Sequence, residues 1–172
     1  MTKRFDRDGN RKIHMQTLCG LAQLDYRARG VHDYNQYLNV IQQLGLPAEA
    51  FEQAFRRIAF NVMAANCDDH TKNLSFLLAD QTHWTLSPAY DVTHAYNPKG
   101  EWTYQHLMSV NGRFKNITRD DLLAVADRYQ IARATRMLAD VKETVSAWPD
   151  FARQAGVSKT DTDRVRADHS LL

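Results

Sequence analysis

Cysteine is almost missing from this chain of 172 residues: there are two, Cys19 and Cys67, far apart and without CxxC spacing. That excludes a disulfide scaffold and offers no zinc-ribbon pattern, and it fits a reducing compartment. No stretch approaches the roughly 20 apolar residues that a membrane-crossing helix needs, and the first residues lack the apolar run of a secretory leader. The expected location is the cytoplasm, with no membrane partner. Net charge is scarce as well. A formal +2 is too little to imply nucleic acid or an anionic surface; Lys3, Arg4, Arg7, Arg11 and Lys12 make the start locally basic, but Asp6 and Asp8 interrupt them. Internal repeats and linker composition are lacking too, so residues 1–172 are expected to form one domain.

What is present suits a packed globule: 44% of residues are hydrophobic and 10% aromatic. Residues 2–13 read as a hairpin turning at Asp8-Gly9-Asn10. Leu18, Leu21, Ala22 and Leu24 recur at helical spacing and predict a short helix from Gln16 to Arg27. Asp33 with Gln36 has the form of a capping box, and Tyr34, Tyr37, Leu38 and Ile41 line the helix it would start. Pro47 precedes the longest periodic run, Phe51, Phe55, Ile58, Val62 and Ala65, which delivers the chain to Asn66-Cys67-Asp68-Asp69-His70-Thr71-Lys72-Asn73.

Beyond Asn73 the period changes. Leu74–Leu78 and Thr82–Leu86 are short and β-prone and predict a hairpin that Pro88 ends. A long loop follows through Asn97-Pro98-Lys99-Gly100, then a short strand within His106–Val110 and a turn at Asn111-Gly112. Thr118 and Asp121 cap a helix, a second runs through Met137, Leu138, Val141 and Val145 to Trp148-Pro149, and residues 157–172 are left between a terminal helix and a frayed tail. The expected fold class is mainly α with small β-hairpins.

The chemistry concentrates between Asp68 and Asp91. An acid, an amide five residues on, a strand pair and a second acid is the layout by which protein kinases handle a hydroxyl and magnesium-bound ATP. Asp68 then orients the hydroxyl and accepts its proton, Asn73 ligates a metal, and Asp91 holds magnesium against the phosphates. His70 and Lys72, beside two acids, are placed to face phosphate oxygens. Each residue also has an ordinary reading: Asp68-Asp69 a solvated turn, His70 a loop hydrogen-bonder, Lys72 a surface charge, Tyr90 a core plug and Asp91 a turn cap. Phe76, Leu78, Trp84 and Leu86 read as the buried face of the hairpin. A different chemistry is also open: Asp68, Asp69, His70, Asp91 and His94 have the residue types of a hydrolytic metal site.

Three ordered stretches carry a resemblance. Phe5-Asp6-Arg7, Asp68-Asp69-His70-Thr71-Lys72-Asn73 and Leu86-Ser87-Pro88-Ala89-Tyr90-Asp91 together resemble the HipA-like serine/threonine kinases, whose founding members are toxins of toxin–antitoxin systems. The resemblance implies a protein-kinase-like C-terminal lobe, the HipA-like C-terminal domain, using ATP and Mg2+. It implies that Asp68 accepts the proton and that Asn73 and Asp91 are magnesium ligands. It places His70 and Tyr90, Asp91, Val92 and Thr93 along the nucleotide, and Lys3, Arg4 and Phe5 at the adenine in the segment between lobes. The implied partners are a HipB-like helix-turn-helix antitoxin, through which DNA is reached only indirectly, and a protein substrate of the aminoacyl-tRNA synthetase type.

This sequence departs from the family at three points. No Gly-rich loop occurs among its seven glycines, and no residue matches the ATP-contacting Lys of the N-terminal lobe. Asn66 and Cys67 stand where the usual kinase catalytic loop carries His and Arg, which leaves open what supports the loop. The chain is thus expected to be either a catalytic lobe that needs an N-lobe polypeptide in trans or a non-catalytic module that docks an antitoxin or another protein.

Overall fold

The computed structural model describes residues 4–80 and 82–172. The chain opens on the expected hairpin, β1 (Arg7–Asp8) and β2 (Arg11–Lys12), with Arg7 opposite Lys12 and Asp8 opposite Arg11. Gly9 sits in the turn at φ +57°, a backbone that glycine adopts without steric cost.

The helix expected from Gln16 to Arg27 is not formed as such. His14–Thr17 is a strand, β3, and only one helical turn follows, α1 (Leu18–Leu21). Thr17 caps that turn by accepting from the Gly20 N–H at 3.1 Å. The chain then leaves through Gln23 at φ +51°, with the Leu24 N–H donating back to the Cys19 carbonyl at 2.9 Å. Leu21, Ala22 and Leu24 still pack against the core, so the apolar spacing reported burial while the backbone took a turn.

Two helices hold the centre. Asp33, in the short strand β4 (His32–Asp33), starts α2 (Tyr34–Gln43) with the expected capping box. Pro47 leads into α3 (Ala48–Met63), which buries Phe55, Ile58, Ala59 and Val62 against α2 residues Tyr37, Leu38 and Ile41. The hairpin after the central loop forms as β5 (Ser75–Leu78) and β6 (Trp84–Leu86), and β3 adds to it in the antiparallel order β3-β5-β6. Phe76, fully buried, carries this sheet onto Tyr37 at a ring-centroid distance of 5.8 Å.

The expected strand within His106–Val110 is β7 (Met108–Ser109), and it pairs in parallel with β4, a partner with no local sequence signal. α4 (Arg119–Arg128) starts at the Thr118/Asp121 capping box, and α5 (Ala134–Ser146) buries Met137, Leu138, Val141 and Val145 against α3. Trp148-Pro149 does not end the helical region. Pro149 lies in the first turn of α6 (Trp148–Gln154), where its missing N–H would have had no helical acceptor. From residue 157 the chain forms α7 (Lys159–Asp168), capped by Ser158 and burying Thr162 and Val165. The Trp148 Nε1–H donates to the Thr162 carbonyl at 3.1 Å, and the Ser170 N–H donates to the Met63 carbonyl at 3.0 Å, so the C-terminal stretch is docked on α3. Among the described residues no helix is long and apolar enough to cross a membrane.

Candidate active site

The central loop begins where α3 ends. Ala65 takes φ +54°, and the Asn66 N–H donates to the Asn61 carbonyl at 2.9 Å, the closing bond of a Schellman turn. Alanine is a strained choice for that position, and the backbone reversal it permits aims residues 66–73 away from the helix axis. At its far end the loop is tied to α1: the Leu18 N–H donates to the Leu74 carbonyl at 2.7 Å and the Cys19 N–H to the Thr71 carbonyl at 3.1 Å. Asn73 closes the loop on itself, its Nδ2 donating to the Asp68 carbonyl at 2.9 Å.

The two adjacent acids have separate fates. Asp69 is 2% exposed and is the hub of a buried network. It accepts from the Tyr34 hydroxyl at 2.8 Å, the His106 Nδ1–H at 2.8 Å and the Leu107 N–H at 2.7 Å. The Tyr34 oxygen in turn accepts from Asn61 Nδ2 at 2.9 Å, and the Asn61 side-chain oxygen accepts from Asn66 Nδ2 at 3.0 Å. This network answers what braces a loop that carries Asn66 and Cys67. Burial alone would lower the His106 pKa, but the Asp69 charge and hydrogen bond outweigh it, with Cys67 adding to them, and the imidazolium is pushed up to about 10. Burial likewise holds Tyr34 well above the ordinary tyrosine range, with the Asp69 charge reinforcing it.

Asp68 faces outward. Its side chain is 45% exposed, with Oδ1 3.9 Å from His70 Nε2. Partial burial raises its pKa; His70 opposes that shift, while the charges of Asp91 and Asp69 add to it. Above the carboxylate range this is an ionised group whose affinity for a proton exceeds that of a free aspartate.

Asp91 is brought back toward the loop by the hairpin. The Tyr90 hydroxyl bonds both Ser75 Oγ and the Lys72 carbonyl, which fastens the segment before Asp91 to the loop's end. Asp91 adopts φ +53° and lines a small cleft of about 20 Å³ together with Asn73, Asn66 and Asn61. That volume suits a single ion or water. The Asn66 side-chain oxygen, in the same wall, is buried without a hydrogen-bond partner. An amide, a carboxylate and an orphaned amide oxygen around an ion-sized space form a hard-oxygen donor set, the kind that suits Mg2+ completed by water and phosphate.

The other expected site residues are spread wider. His70 and Lys72 turn toward Tyr26, which the sequence did not single out: the Lys72 ammonium lies 3.3 Å from the Tyr26 ring centroid and the His70 ring 6.4 Å from it. Phe5 packs on Tyr90 at 5.7 Å, which brings the N-terminal segment to the site, whereas Arg4 is paired with Asp6 at 2.6 Å. Lys3 lies outside the described residues. Val92 borders the cleft and two grooves, an apolar one of about 470 Å³ along α3 and α5 and a further one beside Trp148 and Val165, which Thr93 also lines.

The hydrolase constellation does not assemble. Asp69 is consumed by Tyr34, His106 and Leu107, and His94 pairs with Asp168 at 2.9 Å, so two of its five members point elsewhere. Among the described residues no cluster of three or more His, Cys, Asp or Glu side chains could hold a metal.

The family model for the HipA-like C-terminal domain matches residues 1–148. The chain belongs to that family. A protein of Sinorhizobium fredii, named "Putative kinase Y4dM", is 27% identical over 149 residues, covering 83% of this chain and 35% of its own. The HipA-family fold is also found in a solved structure of the Shewanella oneidensis toxin–antitoxin system HipA, HipB and its operator DNA. There the match has a TM-score of 0.69 at 18% identity, over 96% of this chain and 46% of that one. The HipA-like chain described here thus spans about a third of the Sinorhizobium relative and less than half of the Shewanella chain. The fold is the kinase-like C-terminal domain of HipA, helical with small sheets, as the residues had led us to expect.

Proposed function

We propose that this chain is the C-terminal lobe of a serine/threonine protein kinase that moves a phosphoryl group from ATP to a protein hydroxyl. The observation that supports this most is the meeting of Asn73 and Asp91 at one cleft, with the Asn73 side chain hydrogen-bonded to the Asp68 carbonyl and the Asp91 charge acting on the Asp68 carboxylate. In this reading Asp68 orients the substrate hydroxyl and takes its proton at the carboxylate. Asn73 and Asp91 hold the magnesium ion, which supplies charge neutralisation at the phosphates. His70 and Lys72, steadied by Tyr26, present positive edges to the phosphate oxygens, and Phe5 beside Tyr90 marks the side on which adenine sits.

A Gly-rich loop and a phosphate-contacting Lys come from an N-lobe, which completes the nucleotide site. The likeness to HipA supports a toxin role in the cytoplasm. The solved complex of HipA, HipB and operator DNA supports a HipB-like antitoxin as partner; in this reading the antitoxin is of the helix-turn-helix kind, DNA is reached only through it, and the substrate is a protein such as an aminoacyl-tRNA synthetase.

The test is calorimetric titration of the chain with a non-hydrolysable ATP analogue, with and without magnesium, alongside Asp91→Ala. Magnesium-dependent binding that disappears in the variant is the expected result. In the assembled kinase, Asp68→Ala should lower transfer at least about 100-fold while nucleotide binding persists. Binding unchanged by Asp91→Ala would remove the metal assignment, and transfer that Asp68→Ala leaves intact in the assembled kinase would remove the kinase reading.

A further inference from the structure

Asp91 sits at φ +53°, a left-handed backbone that a residue with a side chain keeps only where its surroundings impose it. Upstream, the Tyr90 hydroxyl supplies that constraint through Ser75 and the Lys72 carbonyl. Downstream, packing does not: Asp91, Val92 and Thr93 are exposed and belong to no helix or strand. The groove beside Trp148 and Val165, of about 500 Å³, is also lined by Val92, Thr93 and His94, so open space stands between this segment and the C-terminal helices. Two polar contacts hold the segment instead. The Ala95 N–H donates to the Ala65 carbonyl at 3.1 Å, and His94 Nε2 lies 2.9 Å from Asp168 Oδ2.

Asp168 is out of place by the rules of its own helix. It is the last residue of α7, where the helix dipole presents its negative end and disfavours an acid. The bond from His94 compensates for that placement. The two side chains are 18% and 25% exposed, so water screens them less than it would a pair on the open surface. Two residues further on, the Ser170 N–H donates to the Met63 carbonyl at the end of α3. The Asp91 segment and the end of α7 are therefore fastened to the same terminus of α3 and, through His94 and Asp168, to each other. The family model matches residues 1–148, so α7 lies beyond the matched part of the chain.

We propose that α7 is a clasp for the segment after Asp91, with His94 and Asp168 as positioning residues that keep the Asp91 carboxylate at its cleft. A carboxylate that must meet an ion together with Asn73 gains from a backbone fixed on both sides, and partners one step removed from the ion tune its affinity. The consequence for magnesium rests on the reading of Asp91 as a metal ligand; the clasp itself does not.

The experiment is amide hydrogen exchange on the native chain, followed by titration with the non-hydrolysable ATP analogue. Asp168→Ala should speed exchange of the Ala95 amide about tenfold and leave the β5 amides at their wild-type rates. His94→Ala cuts the same contact from the other side and should give the same pattern; it decides the point if Asp168→Ala loosens β5 as well. Asp168→Asn, whose amide oxygen can still accept from His94, should restore most of the protection. In the titration, Asp168→Ala should weaken the magnesium-dependent part of binding about tenfold and leave magnesium-free binding unchanged, with Asp168→Asn again close to wild type. An Ala95 amide that exchanges at the wild-type rate in both alanine variants would overturn the clasp. Local loosening with an unchanged magnesium dependence would overturn the positioning role. A wild-type chain without magnesium-dependent binding would overturn the metal assignment of Asp91 and the positioning role with it, while the exchange pattern still decides the clasp.

Discussion

Asp68 and Asp69 are the same side chain one peptide bond apart, and the central loop gives them opposite surroundings. On the inner face Asp69 is sealed among Tyr34, His106 and the Leu107 N–H. On the outer face Asp68 is half exposed, touches His70 only at 3.9 Å, and shares its field with Asp91. The inner face spends its carboxylate on holding the loop's shape, and the outer face leaves one open to solvent. A rigid inner face is what allows an outer carboxylate to be held ready without partners of its own.

The largest effect should come from the inner face. Asp69→Ala leaves the His106 imidazolium and the Tyr34 hydroxyl buried without their acceptor, and should cost about 3–5 kcal/mol of folding stability. Urea unfolding of the variant beside wild type measures this. A loss within about 1 kcal/mol would mean that the loop is braced elsewhere and that the contrast between the faces is overstated.

Next in size is the pH dependence of the same pair. His106 is raised from its ordinary 6.5 to about 10, burial opposing and Asp69 prevailing. A histidine whose folded pKa is raised contributes stability that is complete below about 6.5 and is lost as pH climbs through about 10. Wild type should therefore lose stability over that window by an amount on the order of a few kcal/mol, and Asp69→Asn should flatten the slope. A wild-type profile that is already flat across the window would contradict the ion pair.

Tyr34→Phe is a finer cut. It removes one donor to Asp69 and one acceptor for Asn61 while keeping the ring. The expected loss is about 1–2 kcal/mol, since two partners remain on the carboxylate. A double-mutant cycle with Asp69→Asn should show coupling between the two positions; additivity would place Tyr34 outside the network.

This inner face is also where the sequence was least legible. Capping boxes at Asp33 and Thr118, the Asp-Gly turn and the α3 period are local signals, and each produced its element. Asp68, Asn73 and Asp91 were singled out because of their fixed spacing, and the structure brings Asn73 and Asp91 to one cleft. The support for the loop comes instead from residues far away in sequence. Tyr34 looked like one more apolar position of α2, and His106 like the start of a strand. Their polar ends meet Asp69 only through tertiary packing, 35 and 37 residues away. Asn61 was the one available hint, an amide on the buried face of the most apolar helix, where a polar group needs a partner. Gln16–Arg27 failed for a related reason: burial at helical spacing cannot distinguish a helix from a strand that runs into a turn, and the partner strand that decides the matter lies 60 residues on, at Ser75–Leu78.

The smallest effect on stability should be at Asp68. A carboxylate whose folded pKa is raised favours folding only while protonated, so its contribution is present at low pH and is lost as pH rises through the folded value. Above that range the charge opposes folding slightly, and Asp68→Asn, which removes the charge and keeps the shape, should be neutral or stabilising. The side chain is 45% exposed, so solvent screens most of the effect and the change should stay within about 0.5 kcal/mol. The difference between variant and wild type should also close as pH falls into the carboxylate range, because protonated aspartate and asparagine are then both neutral. Unfolding curves at neutral and acid pH for the two proteins test both halves. An Asp68→Asn variant as damaged as Asp69→Ala would make Asp68 a structural acid like its neighbour, and the loop would have no carboxylate left over for a substrate.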